Sequence, residues 1–186
     1  MTLASLWLPI LLSAVFVFIA SALINMFLKF WHAPDYLRFS NEDEIRAAIR
    51  NGNPTAPGQY ALPWCTPEAM KDPAMQEKLR QGPVGMVYLR RPGSINMGTS
   101  LFQWFLFCLL VSLFCAFIAI ALPPGTDRHH VFHTVALAAL MGHAFGCFTD
   151  GIWRLFPWKA AFKYIVDGII YAIIIGLTFA WLWPAA

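Results

Sequence analysis

Residues Leu6 to Leu28 carry no charged side chain, and the chain repeats that condition from Leu101 to Leu122 and from Val131 to Phe148. A fourth stretch, Ala160 to Trp183, is equally apolar apart from Lys163 and Asp167. A helix needs about 20 mostly apolar residues to cross a hydrocarbon layer about 30 Å thick, and it satisfies its own backbone groups where no water reaches them. Four such stretches take up about half of the 186 residues. The expected fold is therefore an all-α integral membrane protein with four transmembrane helices and a proline-rich cytoplasmic loop carrying short helices. Its first transmembrane helix lies within residues 1–30, the loop region over 31–100, and a three-helix transmembrane bundle over 101–186, with helices near 101–122, 131–150 and 160–183. Composition agrees: 59% of the chain is hydrophobic and 12% charged, against roughly 45–50% and about 25% in soluble domains.

Ala20-Ser21-Ala22 imitates a secretory cleavage site, but no Lys or Arg precedes the apolar run, and the run exceeds the usual core of such a signal, so a retained anchor is expected. Lys29, Arg38, Arg80, Arg90 and Arg91 flank the long loop, and Arg154, Lys159 and Lys163 flank the turn on the same side, against Arg128 alone opposite. The positive-inside rule then puts residues 29–100 in the cytoplasm and both chain ends outside. Trp31, Trp104, Trp153 and Trp158 fit the inner boundary, and Trp7, Trp181 and Trp183 the outer one. A net charge of +3 is too small and too dispersed for nucleic acid.

The loop holds eight of the thirteen prolines. "FSNEDEIRAAIRNG" reads as a short helix capped by Ser40 with Asp43 three residues on, ending at Gly52 and presenting an apolar stripe of Ile45, Ala48 and Ile49. A second short helix follows Asp72-Pro73 and stops before Gly82, and a short strand fits Val84 to Leu89. The Gly/Pro-rich pieces match no phosphate-binding pattern and read as turns. Arg90 and Arg91 are placed to meet anionic lipid headgroups, at about 1 kcal/mol each.

The order "PGQY", "GPVG", "NMG", "ALPPG" and "DGIIYAIIIGLTFAWLWP" resembles, over most of the chain, a family of bacterial four-span inner-membrane proteins to which no activity is assigned. The resemblance implies a bacterial inner-membrane location and supplies no catalytic residues.

Spans three and four are joined by "RLFPWK" and must run antiparallel as neighbours. If Trp153 and Trp158 are equally deep, residues whose numbers sum to about 311 lie level. At about 1.5 Å per residue, His143 and Asp167 then sit roughly 15 and 13.5 Å from that boundary, near mid-membrane. A carboxylate there costs about 2.5–3.5 kcal/mol unless paired, which makes His143 the expected partner of Asp167, with Tyr171 one turn away. Small residues recur on both helices, Ala138, Gly142 and Gly146 facing Gly168, Ala172, Gly176 and Ala180, and predict close packing. Asp150 is expected to reach Arg154 or Lys163. The set His143, Asp167, Tyr171, Asp150 and Lys163 reads either as a polar packing seam or as a proton relay. Haem ligation would need a second mid-depth histidine.

Cys108, Ser112 and Cys115 share one face of span two and read as packing. The four cysteines, Cys65 and Cys147 included, show neither disulfide nor zinc spacing. His129, His130 and His133 are the nearest approach to metal ligands, but a solvated, pH-responsive turn is the expected reading; no metal and no cofactor are expected. No nucleophile, base and orienter occur at recognisable spacing. The leading expectation is thus a small membrane accessory or scaffold protein, a subunit of a larger complex, in contact with the lipid bilayer and with a protein partner or a second copy. A proton- or ion-coupled carrier or channel component is the alternative, ahead of a membrane-embedded enzyme.

Overall fold

The structure is a computed structural model and describes residues 2–54, 57–123 and 125–184. Four helices in it are long and apolar enough to cross a membrane, as in a multi-pass membrane protein: Leu3–Phe27, Met97–Ala119, Arg128–Trp153 and Trp158–Trp181. The chain divides into two compact units, one of Met1–Tyr36 with Asn96–Ala186 and the other of Leu37–Ile95.

In the first unit, the first apolar stretch opens with a 3-10 turn, Leu3–Leu6, continues as α1 (Trp7–Ala22) and loosens into a π-helical turn, Leu23–Phe27. Pro9 stands in the first turn of α1, where its missing N–H has no helical partner to lose. Leu28 breaks the helix (φ −86°, ψ 58°), and the chain resumes as a four-residue helix, α2 (Lys29–His32), followed by a 3-10 turn, Ala33–Asp35.

The remaining long helices start where the sequence supplies caps. The Asn96 side chain accepts the Thr99 N–H ahead of α5 (Met97–Ala119), and Asp127 accepts the His130 N–H ahead of α6 (Arg128–Ala144). Phe145 separates α6 from α7 (Gly146–Trp153), so the third apolar helix is interrupted near its end. After a turn in which Leu155 takes φ 57°, α8 (Trp158–Trp181) begins behind Pro157.

The four long helices close a ring in which α1 packs on α5, α5 on α6, α6 on α8 and α8 on α1, with α6 and α8 the most extensive pair. Val17, Cys108, Val135, Ile175 and Phe179 fill the centre. Outward stand Phe102, Phe114, Leu137, Ile173 and Leu177, the apolar coat that a bilayer would solvate. Ser13, bonded to the Pro9 carbonyl at 2.6 Å, has its Oγ 3.0 Å from that of Ser112, and the Cys115 thiol approaches the Val135 carbonyl at 3.8 Å. The face of Cys108, Ser112 and Cys115 is therefore packed against neighbouring helices.

The small-residue seam keeps about the expected level, but α6 is turned. A Cβ on Gly168 would lie 2.8 Å from the Ala144 Cβ and 3.1 Å from the His143 carbonyl carbon, and one on Gly176 would meet Ala136 and Phe132 at 2.9 Å. Gly142 instead abuts Val111 of α5, and nothing lies within 4 Å of a Cβ on Gly146. Gly142 and Gly146 thus do not form the α8 seam; Ala144 and Ala136 take that place. Ala138 is partly buried against the core, and Ala172 and Ala180 are buried.

The second unit contains α3 (Glu42–Asn51), α4 (Pro73–Gln81) and an antiparallel pair of strands, β1 (Gly58–Leu62) and β2 (Gly85–Leu89), registered Gly58 to Leu89 and Leu62 to Gly85. α4 follows the expected design, Asp72 accepting the Ala74 N–H at 2.9 Å and Pro73 opening the helix. Helix α3 starts one residue later than the Ser40 cap implies, behind Asn41, whose side-chain amide donates to Glu44 at 2.7 Å. The loop region is not purely helical, because residues read as turns around "PGQY" pair with the strand ending at Leu89. Arg90 and Arg91 follow that strand and are exposed.

Candidate functional site

Lys163, Tyr164 and Asp167 occupy one face of α8 at helical spacing. The break at Leu28 lets α2 and the turn after it lie along that face, placing Trp31, His32 and Asp35 opposite the three. The Trp31 indole N–H donates to Asp167 Oδ1 at 2.9 Å, and His32 Nε2 stands 2.6 Å from Oδ2. Both oxygens of a carboxylate that is 2% exposed are thus engaged. The His32 ring stacks on Tyr164, centroids 4.7 Å apart and planes at 22°. Its Nδ1 lies 3.7 Å from Asp35 Oδ2, beyond hydrogen-bond reach, and has no hydrogen-bond partner among the described residues.

The Lys163 ammonium donates to both Asp35 oxygens, at 2.7 and 2.9 Å, and to the Trp31 carbonyl. It also lies 5.6 Å from the centre of the Trp31 ring. The hydrogen bond from Lys163 holds the Asp35 carboxyl below its ordinary range, against the opposing effect of partial enclosure and with further help from the charges of Lys163 and His32. Two carboxylates, one ammonium and one imidazole therefore alternate along the contact, and the group is electrically neutral when His32 carries its second proton. The Tyr36 and Tyr164 hydroxyls lie 3.3 Å apart at its margin.

Asp167 also borders a cavity of about 600 Å³ between the four long helices. Tyr171, Trp104, His143, Cys147 and Asn25 share its wall, and Phe18, Met26, Met97 and Leu101 supply apolar surface. His143 sits in an aromatic box, its ring 5.4 Å from those of Phe107 and Tyr171 and 6.0 Å from that of Trp104, and its Nε2 is enclosed without a hydrogen-bond partner among the described residues. Trp104 donates its indole N–H to Ser21 Oγ at 2.7 Å.

The structure thus brings His143, Asp167 and Tyr171 to one cavity but does not join His143 to Asp167. The reason is steric: the His143 backbone presses on Gly168, so its side chain leaves sideways, toward Trp104 and Phe107 of α5. Asp167 is paired with His32 instead. Lys163 binds Asp35, not Asp150, which pairs with Arg154 on its own helix at 2.8 Å.

At the other end of the bundle His129 and His133 have their Nε2 atoms 3.0 Å apart, while the His130 backbone caps on Asp127. Among the described residues no group of three or more His, Cys, Asp or Glu side chains is placed to hold a metal ion. Sequence reasoning missed Trp31, His32 and Asp35, which follow an apolar run and read as the start of a loop. The available signal was complementarity: Lys163 and Asp167, four apart on α8, need an acid and a base on the facing element, and Asp35 and His32 offer them three apart. No protein-family model, curated protein or solved structure matches this chain.

Proposed function

We propose that this chain is a proton-exchanging component of a bacterial inner membrane, with residues 29–100 cytoplasmic and both chain ends outside, as the Lys/Arg distribution favours. The observation that carries the reading is the position of Asp167, which borders the cavity and bonds to a histidine whose far nitrogen faces a second carboxylate. A proton arriving from the cavity binds the Asp167 carboxylate and crosses the 2.6 Å contact to His32 Nε2. A second proton leaves Nδ1 on the side of Asp35 after a shift of the ring that closes the 3.7 Å gap. Asp35, kept ionised by Lys163, stabilises the imidazolium in between. Ionisable groups enclosed among membrane helices are by default functional candidates, and histidine is the side chain suited to two-sided exchange near neutral pH.

The test is passive proton conductance in liposomes under a potassium diffusion potential. Wild-type protein should exceed protein-free liposomes, Asp167→Asn should return to their level, and Asp150→Asn should behave as wild type. Wild-type liposomes no leakier than protein-free ones would overturn the relay.

One observation favours a second reading, that of an accessory or scaffold protein. Trp31, His32 and Asp35 clamp the chain leaving the first apolar helix onto α8, which a purely structural polar lock would also achieve. In that case Asp167→Asn lowers thermal stability, and the protein, with no conductance of its own, co-purifies with a larger assembly in mild detergent.

A further inference from the structure

The cavity has a chemistry of its own that the relay does not use. Most of its polar groups are already committed: the Asp167 oxygens to Trp31 and His32, Ser21 Oγ to Trp104, and the Asn25 amide to the Ser21 carbonyl. The Tyr171 hydroxyl, by contrast, has no hydrogen-bond partner among the described residues. Next to it stand the rings of Trp104 and His143, with the Tyr171 and Trp104 rings 6.1 Å apart and inclined at 62° and the His143 ring 5.4 Å from that of Tyr171. The opposite wall, Phe18, Met26, Met97 and Leu101, is apolar, and methionine adapts to irregular shapes. At about 600 Å³ the space falls within the range of small-molecule sites, roughly 300–1,000 Å³.

These features specify an occupant. It must be neutral, because Asp167 already has His32 as its counter-group and a charged guest would be stripped of water among apolar helices. It must dissolve in lipid to arrive between helices of this kind. Its head should be flat and conjugated, since aromatic walls favour offset or edge-on ring contacts. That head should carry an oxygen able to accept the Tyr171 O–H.

We propose that the cavity bounded by Trp104, His143, Asp167 and Tyr171 binds a quinone-type molecule, its carbonyl oxygen accepting from Tyr171 and its ring lying against Trp104, with the apolar tail leaving along Met26, Met97 and Leu101. Binding does not depend on proton exchange by Asp167.

Titration of the full chain in nanodiscs with decylubiquinone, read by tryptophan fluorescence, tests this. Quinone dissolved in the lipid quenches the exposed indoles in proportion to its concentration, so a bound molecule shows as an additional component that saturates near one quinone per protein. Wild type should show that component and Trp104→Phe should lose most of it. Tyr171→Phe, which removes one hydroxyl and nothing else, should bind about fivefold more weakly, the scale of one neutral hydrogen bond. Ala22→Phe, which fills the cavity from α1, should abolish it, with circular dichroism and gel filtration confirming a folded protein. Quenching without a saturating component in wild type overturns the proposal. So does loss of the saturating component when decane is added in amounts equal to the quinone, because the site would then read an alkyl chain and not a head. Retention of the saturating component in Asp167→Asn separates this inference from the relay, since either can fail while the other stands.

Discussion

Two histidines lie within the same helical unit, and their surroundings differ in one respect. His32 rests on Tyr164, contacts one carboxylate through Nε2 and faces another with Nδ1; His143 is boxed by Trp104, Phe107 and Tyr171 and has no carboxylate among the described residues bonded to its ring. Both are enclosed by aromatic rings, so depth and apolarity do not separate them. What separates them is which element lies opposite. The face of α8 bearing Lys163 and Asp167 is covered by a short segment that folds back after the first apolar helix, and that segment carries the complementary groups. The α6 backbone at His143 instead approaches Gly168 of α8 closely, and the ring lies among Trp104 and Phe107 of α5 and Tyr171 of α8, none of which offers it a counter-charge.

The sharpest way to break this comparison is to remove the shared target. Asp167→Ala should cost about 3–5 kcal/mol of stability, because it leaves a buried imidazole and the Trp31 N–H without their partner. A double-mutant cycle then apportions the loss. His32→Phe with Asp167→Ala should show coupling on the order of 1–3 kcal/mol, and His143→Phe with Asp167→Ala close to none. His143→Phe alone should be neutral or slightly stabilising, since the nitrogen it deletes is an unpaired polar atom. Unfolding titrations in mixed micelles measure the three single and two double variants. Coupling of Asp167 to His143 equal to that with His32 would erase the distinction between the two sites.

The next effect concerns the backbone contact that turns His143 away. Gly168→Ala would place a methyl 2.8 Å from the Ala144 Cβ and 3.1 Å from the His143 carbonyl carbon, and overpacking of that kind costs about 1–3 kcal/mol. Gly146→Ala, with nothing within 4 Å, should stay within about 0.5 kcal/mol. Thermal melts of the two variants compare the seam with the open face beside it. Equal costs would mean that α6 and α8 are not held at the distance that forces the His143 ring toward α5.

The long helices were legible in the sequence because each is a continuous apolar run of a length that only a helix can satisfy, and the level of α6 against α8 followed from the shortness of "RLFPWK". Rotation about the helix axis was not legible. Gly142 and Gly146 share their spacing with the true seam residues, and a turn of α6 exchanges which small residues meet α8 without altering the pattern. The partner of Asp167 was hidden for a different reason. Trp31, His32 and Asp35 belong to a segment that owes its direction to the break at Leu28, a single backbone conformation that no residue type there demands. β1 and β2 were half legible: the run ending at Leu89 is apolar enough for a strand, but its partner at Gly58–Leu62 lies across an intervening helix and pairs through backbone groups that side chains do not announce.

The smallest expected effect refines the His32 side of the comparison, through Asp35. Lys163 lowers the Asp35 carboxyl below its reference value of 3.8, so the folded state holds the proton less tightly than the unfolded chain does. A group depressed in this way stabilises the fold above its unfolded value, and that stability is lost as the pH falls below 3.8 and through the folded value. Lys163→Met removes the hydrogen bond that causes the depression. The melting temperatures of wild type and Lys163→Met should therefore differ most between pH 5 and 7, begin to converge below about pH 4, and meet only once the pH has fallen through the lowered folded value, where the carboxyl is protonated with its ammonium partner as well as without it. A difference that stays constant from pH 7 to pH 3 would mean that Lys163 acts on the fold through the Trp31 carbonyl and the Trp31 ring alone. The charge alternation from Asp167 to Lys163 would then end at His32.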